Sequence, residues 1–124
     1  MILIIGGAYQ GKAAFAESLF PKIRWADGES CDLEDLYECQ GILRFHAYIR
    51  RMLEKGQDVD DLAEKLMRRT RGVVITDEIG YGIVPADAFL REYREAAGRV
   101  CTKLAANAKE VWRVSCGIGT RIKG

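Results

Sequence analysis

The residues able to do chemistry are gathered in a few stretches, and the first is Gly6-Gly7-Ala8-Tyr9-Gln10-Gly11-Lys12-Ala13. From Gly6 the spacing reads G-x-x-x-x-G-K, the pattern of a phosphate-binding loop. Glycines at Gly6, Gly7 and Gly11 permit positive φ and leave room for phosphate oxygens to meet backbone N–H groups. Lys12 would neutralise β- or γ-phosphate charge, and a helix starting there would add its positive dipole end. One position departs from the pattern. Ala13 stands where a hydroxyl normally ligates magnesium, so a metal would have to be held by other residues and the phosphates. The alternative is a tight strand-to-helix turn that merely contains a lysine.

Asp77-Glu78 follows the apolar run Val73-Val74-Ile75-Thr76. An acidic pair at the end of a buried strand can hold magnesium, directly or through water, and orient a nucleophile. It can equally be a solvated strand end or a helix-capping turn. His46 is the only histidine and the only side chain whose unperturbed pKa lies near neutrality, which makes it a third catalytic candidate. Its neighbours Leu43, Phe45 and Ile49 also suit an ordinary half-buried helix position. Arg91, Arg94 and Arg99 could meet phosphates or a partner, or pair with Glu92 and Glu95.

These residues need positioning elements, and the patterning supplies them. Ile2-Leu3-Ile4-Ile5 and Val73-Val74-Ile75-Thr76 are continuous apolar runs, as expected of strands buried on both faces. Val111 to Cys116 predicts a last strand ending in Gly117-Ile118-Gly119, and Ile23 to Ala26 a short one before the Asp27-Gly28 turn. Helical spacing covers Lys12 to Phe20, stopped by Pro21. It resumes from a capped start at Asp32 and runs to Gly56, with Gly41 a point where it breaks in two. A further helix capped by Asp58 or Asp60 runs to about Arg71-Gly72. The longest carries Phe89, Leu90, Tyr93, Ala97, Val100, Leu104 and Ala108 as its apolar stripe. Gly98 within it costs about 1 kcal/mol against alanine, which predicts a close contact there.

Strands alternating with helices predict an α/β three-layer domain with a mostly parallel sheet, one nucleotide-binding unit over residues 1–124. Ligands of such sheets bind outside the carboxyl ends of the strands. Gly6 to Lys12, Asp77-Glu78 and Gly117 to Arg121 all fall at those ends. Nearly half of the residues are apolar (48%) and the formal net charge is +1, so bulk electrostatics gives no reason to expect nucleic acid or an anionic membrane. The basic clusters Arg50-Arg51 and Arg68-Arg69-Arg71 sit beside acidic residues at helix ends. No run approaches a membrane span. Cys31, Cys39, Cys101 and Cys116 form no C-x-x-C pair, and reduced thiols in a cytoplasmic protein are expected.

Several long motifs resemble one family. Thr76-Asp77-Glu78-Ile79-Gly80-Tyr81-Gly82-Ile83-Val84-Pro85, then Arg91-x-Tyr93-Arg94-Glu95-x-x-Gly98-Arg99-Val100, then Glu110-Val111-Trp112 and Ser115-Cys116-Gly117-Ile118-Gly119 are similar to the bifunctional adenosylcobinamide kinase / adenosylcobinamide-phosphate guanylyltransferases. So is the opening loop, and together the similar stretches cover residues 1–20 and about 72–123. The resemblance implies a P-loop NTPase-like fold, self-association, often as a trimer, and a role in cobalamin (vitamin B12) biosynthesis or salvage. Members phosphorylate the aminopropanol hydroxyl of adenosylcobinamide with a nucleoside triphosphate, then transfer GMP from GTP through a guanylylated histidine. Carried over, Gly6 to Ala13 would bind the phosphates of ATP or GTP and Glu78 would sit at the reacting end of its strand, with any Mg2+ left to Asp77 and Glu78 because Ala13 lacks the hydroxyl.

The departures are specific. Ala13 replaces the loop hydroxyl, Asp77 stands where asparagine is common, and Cys101-Thr102 replaces an Asn-Gln pair. The middle, about 21–71, is shorter than in typical members and lacks the segment carrying the guanylylated histidine. The expected activity is therefore a kinase-like transferase, with the nucleotidyltransferase step in question. Its alternative is a non-catalytic nucleotide-binding or regulatory subunit. A kinase for another small alcohol is a third reading, because a shortened middle would remodel the acceptor pocket.

Overall fold

The computed structural model describes residues 1–69, 72–79 and 87–124. Six strands form one sheet in the order β2-β3-β4-β1-β5-β6. They are β1 (Ile2–Gly6), β2 (Trp25–Asp27), β3 (Gly41–Leu43), β4 (Val73–Asp77), β5 (Glu110–Ser115) and β6 (Ile118–Lys123). The first five run parallel, and β6 is an antiparallel edge. The helices are α1 (Lys12–Leu19), α2 (Leu33–Glu38), α3 (Phe45–Glu54), α4 (Leu62–Arg69) and α5 (Ala88–Asn107). This is the mostly parallel α/β sheet that the apolar strands predict.

Strand alternation divides the apolar residues between two layers. Leu3, Ile42, Val74 and Val111 pack with Leu36, Phe45, Ile49, Leu66, Val100 and Leu104 from α2 to α5. Ile4, Val73, Ile75 and Val114 face the other way, against Ala16 and the half-buried Phe15 of α1. β1 lies between β4 and β5 with Gly6 beside Asp77 in register. The glycine loop and the acidic strand end are therefore neighbours because of how the sheet is ordered.

Local chemistry explains most boundaries. Asp32 begins α2 with a reciprocal cap: its Oδ1 accepts from Asp35 N–H at 2.9 Å, and its own N–H donates to Asp35 Oδ2 at 3.0 Å. Asp87 caps α5 by accepting from Leu90 N–H at 3.1 Å. Two expectations differ from the structure. The periodic stretch from Asp32 to Gly56 does break at Gly41 into two helices, α2 and α3, but the break is itself a strand: Gly41-Ile42-Leu43 is β3, with Gly41 and Ile42 paired to Val73 and Val74. Three residues are too few for periodicity to separate a strand from a helix segment. The chain also continues past Gly119 into β6, through a tight turn in which Cys116 (φ 51) and Gly117 (φ 76) both adopt left-handed backbone. The predicted helix end at Arg71 and the segment Gly80 to Pro85 lie outside the described residues.

Gly98 is a further correction. A Cβ built there would meet nothing within 4 Å, so no close contact within the described residues explains it. Gly98→Ala should then stabilise the free chain by about 0.5–1 kcal/mol, the helix-propensity difference. Urea unfolding of the two proteins checks this. A destabilised variant would mean that the α5 face needs the bare backbone.

Candidate functional site

Close approach shapes the loop. A Cβ on Gly6 would lie 2.5 Å from the Val114 carbonyl oxygen, so only glycine lets β1 turn there against β5. Gly11 takes φ 83 at the start of α1, and a Cβ on it would come within 3.2 Å of Gly117 Cα. Gln10 fastens the loop to the β5–β6 turn. Its carbonyl accepts from Gly117 N–H at 2.7 Å, and its Oε1 accepts from Cys116 N–H at 2.8 Å. Tyr9 at the tip is fully exposed. No side chain caps α1 and its first turn holds no acid, so its dipole favours an anion at the loop.

Lys12 is the first residue of α1 and is buried, with 8% of its surface exposed. Its ammonium donates to the Gly7 carbonyl at 2.6 Å and lies 2.7 Å from Asp77 Oδ1. Asp77 also meets the histidine. His46 sits in the first turn of α3, where its Nδ1 accepts from Asp77 N–H at 3.0 Å and its Nε2 lies 3.4 Å from Asp77 Oδ2. An N–H can point only at an unprotonated ring nitrogen, so the neutral imidazole carries its proton on Nε2. Lys12, Asp77 and His46 thus form one cluster, drawn from three separate parts of the sequence.

Burial pushes the His46 pKa down; the Asp77 carboxylate opposes this, while Lys12 and Arg44 add to it and Glu29 opposes. A histidine held neutral in the fold but free to protonate when unfolded costs stability as pH falls. That contribution is complete above the unfolded value of about 6.5 and is lost as pH falls toward the lower folded value. Because His46 is the only histidine, the imidazole contribution to the stability slope between pH 7 and 5 comes from it alone and is at most one proton's worth, about 1.4 kcal/mol per unit. His46→Asn should flatten it in pH-resolved urea melts. An unchanged slope would reject the assignment.

Glu78 goes elsewhere. As the next residue along β4 its backbone N–H donates to the Gly6 carbonyl at 2.8 Å. Its carboxylate takes two bonds from Arg113, at 2.8 and 3.2 Å. A pocket of about 490 Å³ opens over the loop, lined by Ala8 to Ala14, His46 and Asp77, and Glu78 is not among its lining residues. The pocket extends to Glu29 and Arg44, two residues that the sequence reading does not single out. Arg44 precedes α3 with φ 51, bonded to Asp27 and 3.6 Å from Glu29. The signal for them was the Asp27-Gly28 turn, but its link to Arg44 depends on the short β3.

For magnesium the fit is narrow. Among the described residues no group of three or more histidine, cysteine or acidic side chains could cage a cation. Magnesium rarely needs one, keeping several waters and using one or two carboxylates plus substrate phosphates. Asp77, which faces the loop, suits that arrangement, and Ala13 contributes nothing to it.

No helix among the described residues is long and apolar enough to cross a membrane. Residues 36–122 match the family described as cobinamide kinase / cobinamide phosphate guanyltransferase. That span takes in much of the middle of the chain as well as the carboxyl half, and it begins after the glycine loop. The bifunctional adenosylcobalamin biosynthesis proteins CobU of Salmonella typhimurium and Escherichia coli are each 53% identical over 51 residues. Those residues are 41% of this chain and 28% of each relative, so the matched stretch spans under a third of the relatives' length. With a family match over most of its residues, the chain belongs to the cobinamide kinase / cobinamide phosphate guanyltransferase family.

Proposed function

We propose that the chain binds ATP or GTP at the Gly6–Ala13 loop and transfers the γ-phosphoryl group to the aminopropanol hydroxyl of a cobinamide-type corrinoid. The observation carrying this reading is the meeting of Lys12 and Asp77 at the carboxyl ends of adjacent parallel strands, 2.7 Å apart, in a pocket open to solvent. Catalysis would be positioning and charge neutralisation rather than covalent chemistry. Backbone N–H groups of the loop and the start of α1 hold phosphate oxygens, and Lys12 moves from Asp77 to the phosphates. Asp77, then free, orients the acceptor hydroxyl and holds the metal. Magnesium held by Asp77 and the phosphates would supply charge neutralisation there. The acceptor oxygen forms its bond to the γ-phosphorus as the bond to the β–γ bridging oxygen breaks, leaving the nucleoside diphosphate and releasing the hydroxyl proton to solvent.

Transfer of GMP through a histidine is left out. His46 has one nitrogen committed to Asp77 N–H and the other protonated, so neither offers a free lone pair. A cytoplasmic location and a homo-oligomer, on the trimeric pattern of the family, belong to the same proposal. The deciding experiment is a phosphorylation assay with ATP and GTP against adenosylcobinamide, with and without Mg2+. Metal-dependent corrinoid phosphate is the expected product.

A second reading follows from Ala13 and from Lys12 lying on Asp77 and Gly7. As a binding subunit without turnover, the chain would show nucleotide-dependent thermal stabilisation and no product. Absence of both would sink the nucleotide site itself.

A further inference from the structure

His46 holds a single neighbour at two points. Its Nδ1 takes the Asp77 backbone N–H at 3.0 Å, and its Nε2 faces Oδ2 of the same residue at 3.4 Å. The ring is largely buried, beside the fully buried Phe45 at the start of α3. It cannot turn away without orphaning a backbone donor at the end of β4, a loss that buried polar groups resist. The two oxygens of Asp77 thus have different partners. Oδ1 is taken by Lys12, which incoming phosphate would claim. Oδ2 faces a neutral N–H donor, about half an ångström beyond an ordinary hydrogen bond. While Lys12 holds the carboxylate that gap stays open.

We propose that His46 is a positioning residue for Asp77: once phosphate draws Lys12 away, Nε2–H closes on Oδ2 and leaves Oδ1 as the single working oxygen facing the nucleotide. The assignment rests on the nucleotide reading above and adds to it the residue that fixes which oxygen acts. It needs no covalent step at the histidine. Without the ring, the freed carboxylate rotates and both oxygens share the phosphate side. Metal capture is then weakened, while phosphate binding by the loop is unaffected.

Two substitutions separate the ring's two bonds. His46→Asn places an amide oxygen near the position of Nδ1 and keeps the Asp77 N–H bond, but nothing reaches Oδ2. His46→Gln extends an amide nitrogen toward the position of Nε2. Calorimetric titration of the full chain with ATP and with GTP, each with and without Mg2+, gives four affinities per protein. Metal-free binding should agree within about threefold across wild type and both variants. The gain in affinity on adding Mg2+ should fall about tenfold in His46→Asn, the worth of one hydrogen bond to a charged group, and recover in His46→Gln. In the 15N spectrum the wild-type ring should show the Nε2–H tautomer before and after nucleotide.

An equal Mg2+ gain in all three proteins overturns the proposal. So does a ring protonated on Nδ1, or a His46→Asn protein that loses metal-free binding, which would place the ring on the phosphate itself. A GMP adduct on His46 in the intact mass after GTP incubation would make it a nucleophile instead. Failure of the wild type to bind either nucleotide sinks the nucleotide reading and this proposal together. Wild-type binding with no effect at His46 sinks the proposal alone. If His46→Asn does not fold, the glutamine variant and the tautomer still decide.

Discussion

Lys12→Ala should abolish the thermal stabilisation by ATP or GTP that the proposed nucleotide site predicts for the wild-type chain. At a hundredfold excess over Kd, a ligand that binds only the folded state adds about 2.7 kcal/mol. For a domain of this size that is roughly 10 °C in Tm. Among the described residues Lys12 supplies the one ammonium lining the loop pocket, and it is already buried, with Gly7 and Asp77 as its partners there. Charge-assisted bonds to phosphate are the strong ones, and losing this one should cost at least about a hundredfold in affinity. The fold itself should lose little. Asp77 is partly exposed and can regain water, so the loss of its ion pair should cost about 1 kcal/mol or less. Lys12→Arg is not a conservative rescue, because a planar fork does not fit where a point charge sits between Gly7 and Asp77. Thermal melts with each nucleotide measure both effects. A Lys12→Ala protein that keeps its shift would remove the loop from the binding site.

Much of this arrangement could be read before any coordinates. Ile2 to Ile5 and Val73 to Ile75 are apolar at every position, as strands buried on both faces require, and they are neighbours in the sheet. The glycine spacing placed the loop at the carboxyl end of one, and Asp77 at the end of the other. What could not be read was set by contacts distant in sequence. Asp77 and Glu78 look like a matched pair, yet β4 places Asp77 against Lys12 and hands Glu78 to Arg113, thirty-five residues away. His46 looked like a half-buried helix residue because β3 was hidden inside a helical pattern. Once Gly41 to Leu43 pairs with β4, α3 begins beside the end of that strand and its first turn faces Asp77. The family resemblance pointed to the right family but carried no information about His46, since the stretches that carry it, residues 1–20 and about 72–123, leave that position out.

Asp77→Asn should separate nucleotide binding from turnover. The amide has the size of the carboxylate and leaves the backbone N–H bond to His46 in place. It differs in charge and in having one acceptor oxygen instead of two. Lys12 and the His46 Nε2–H both face this side chain, and a single amide oxygen can serve only one of them. Lys12 is therefore less firmly held, and phosphates no longer approach a fixed negative charge. Like charges about 4 Å apart repel by about 4 kcal/mol at an effective dielectric of 20, an upper bound for a partly exposed group. Even a third of that raises metal-free ATP affinity about tenfold. The Mg2+-dependent gain should vanish, and phosphorylation of adenosylcobinamide should fall by at least about a hundredfold. Calorimetry and a product assay on the same preparation read both numbers. Parallel losses in binding and turnover would show instead that Asp77 serves only to hold the loop in shape. The sharper comparison adds Ala13→Ser. The family resemblance implies a loop hydroxyl and a strand-end asparagine at the positions that here carry Ala13 and Asp77. If the carboxylate compensates for the missing hydroxyl, the two positions are coupled. Asp77→Asn alone should then cost far more turnover than Asp77→Asn made in an Ala13→Ser background, by 1–3 kcal/mol of interaction energy, roughly 5- to 150-fold. Additive effects would mean that metal, if used at all, is held without either side chain.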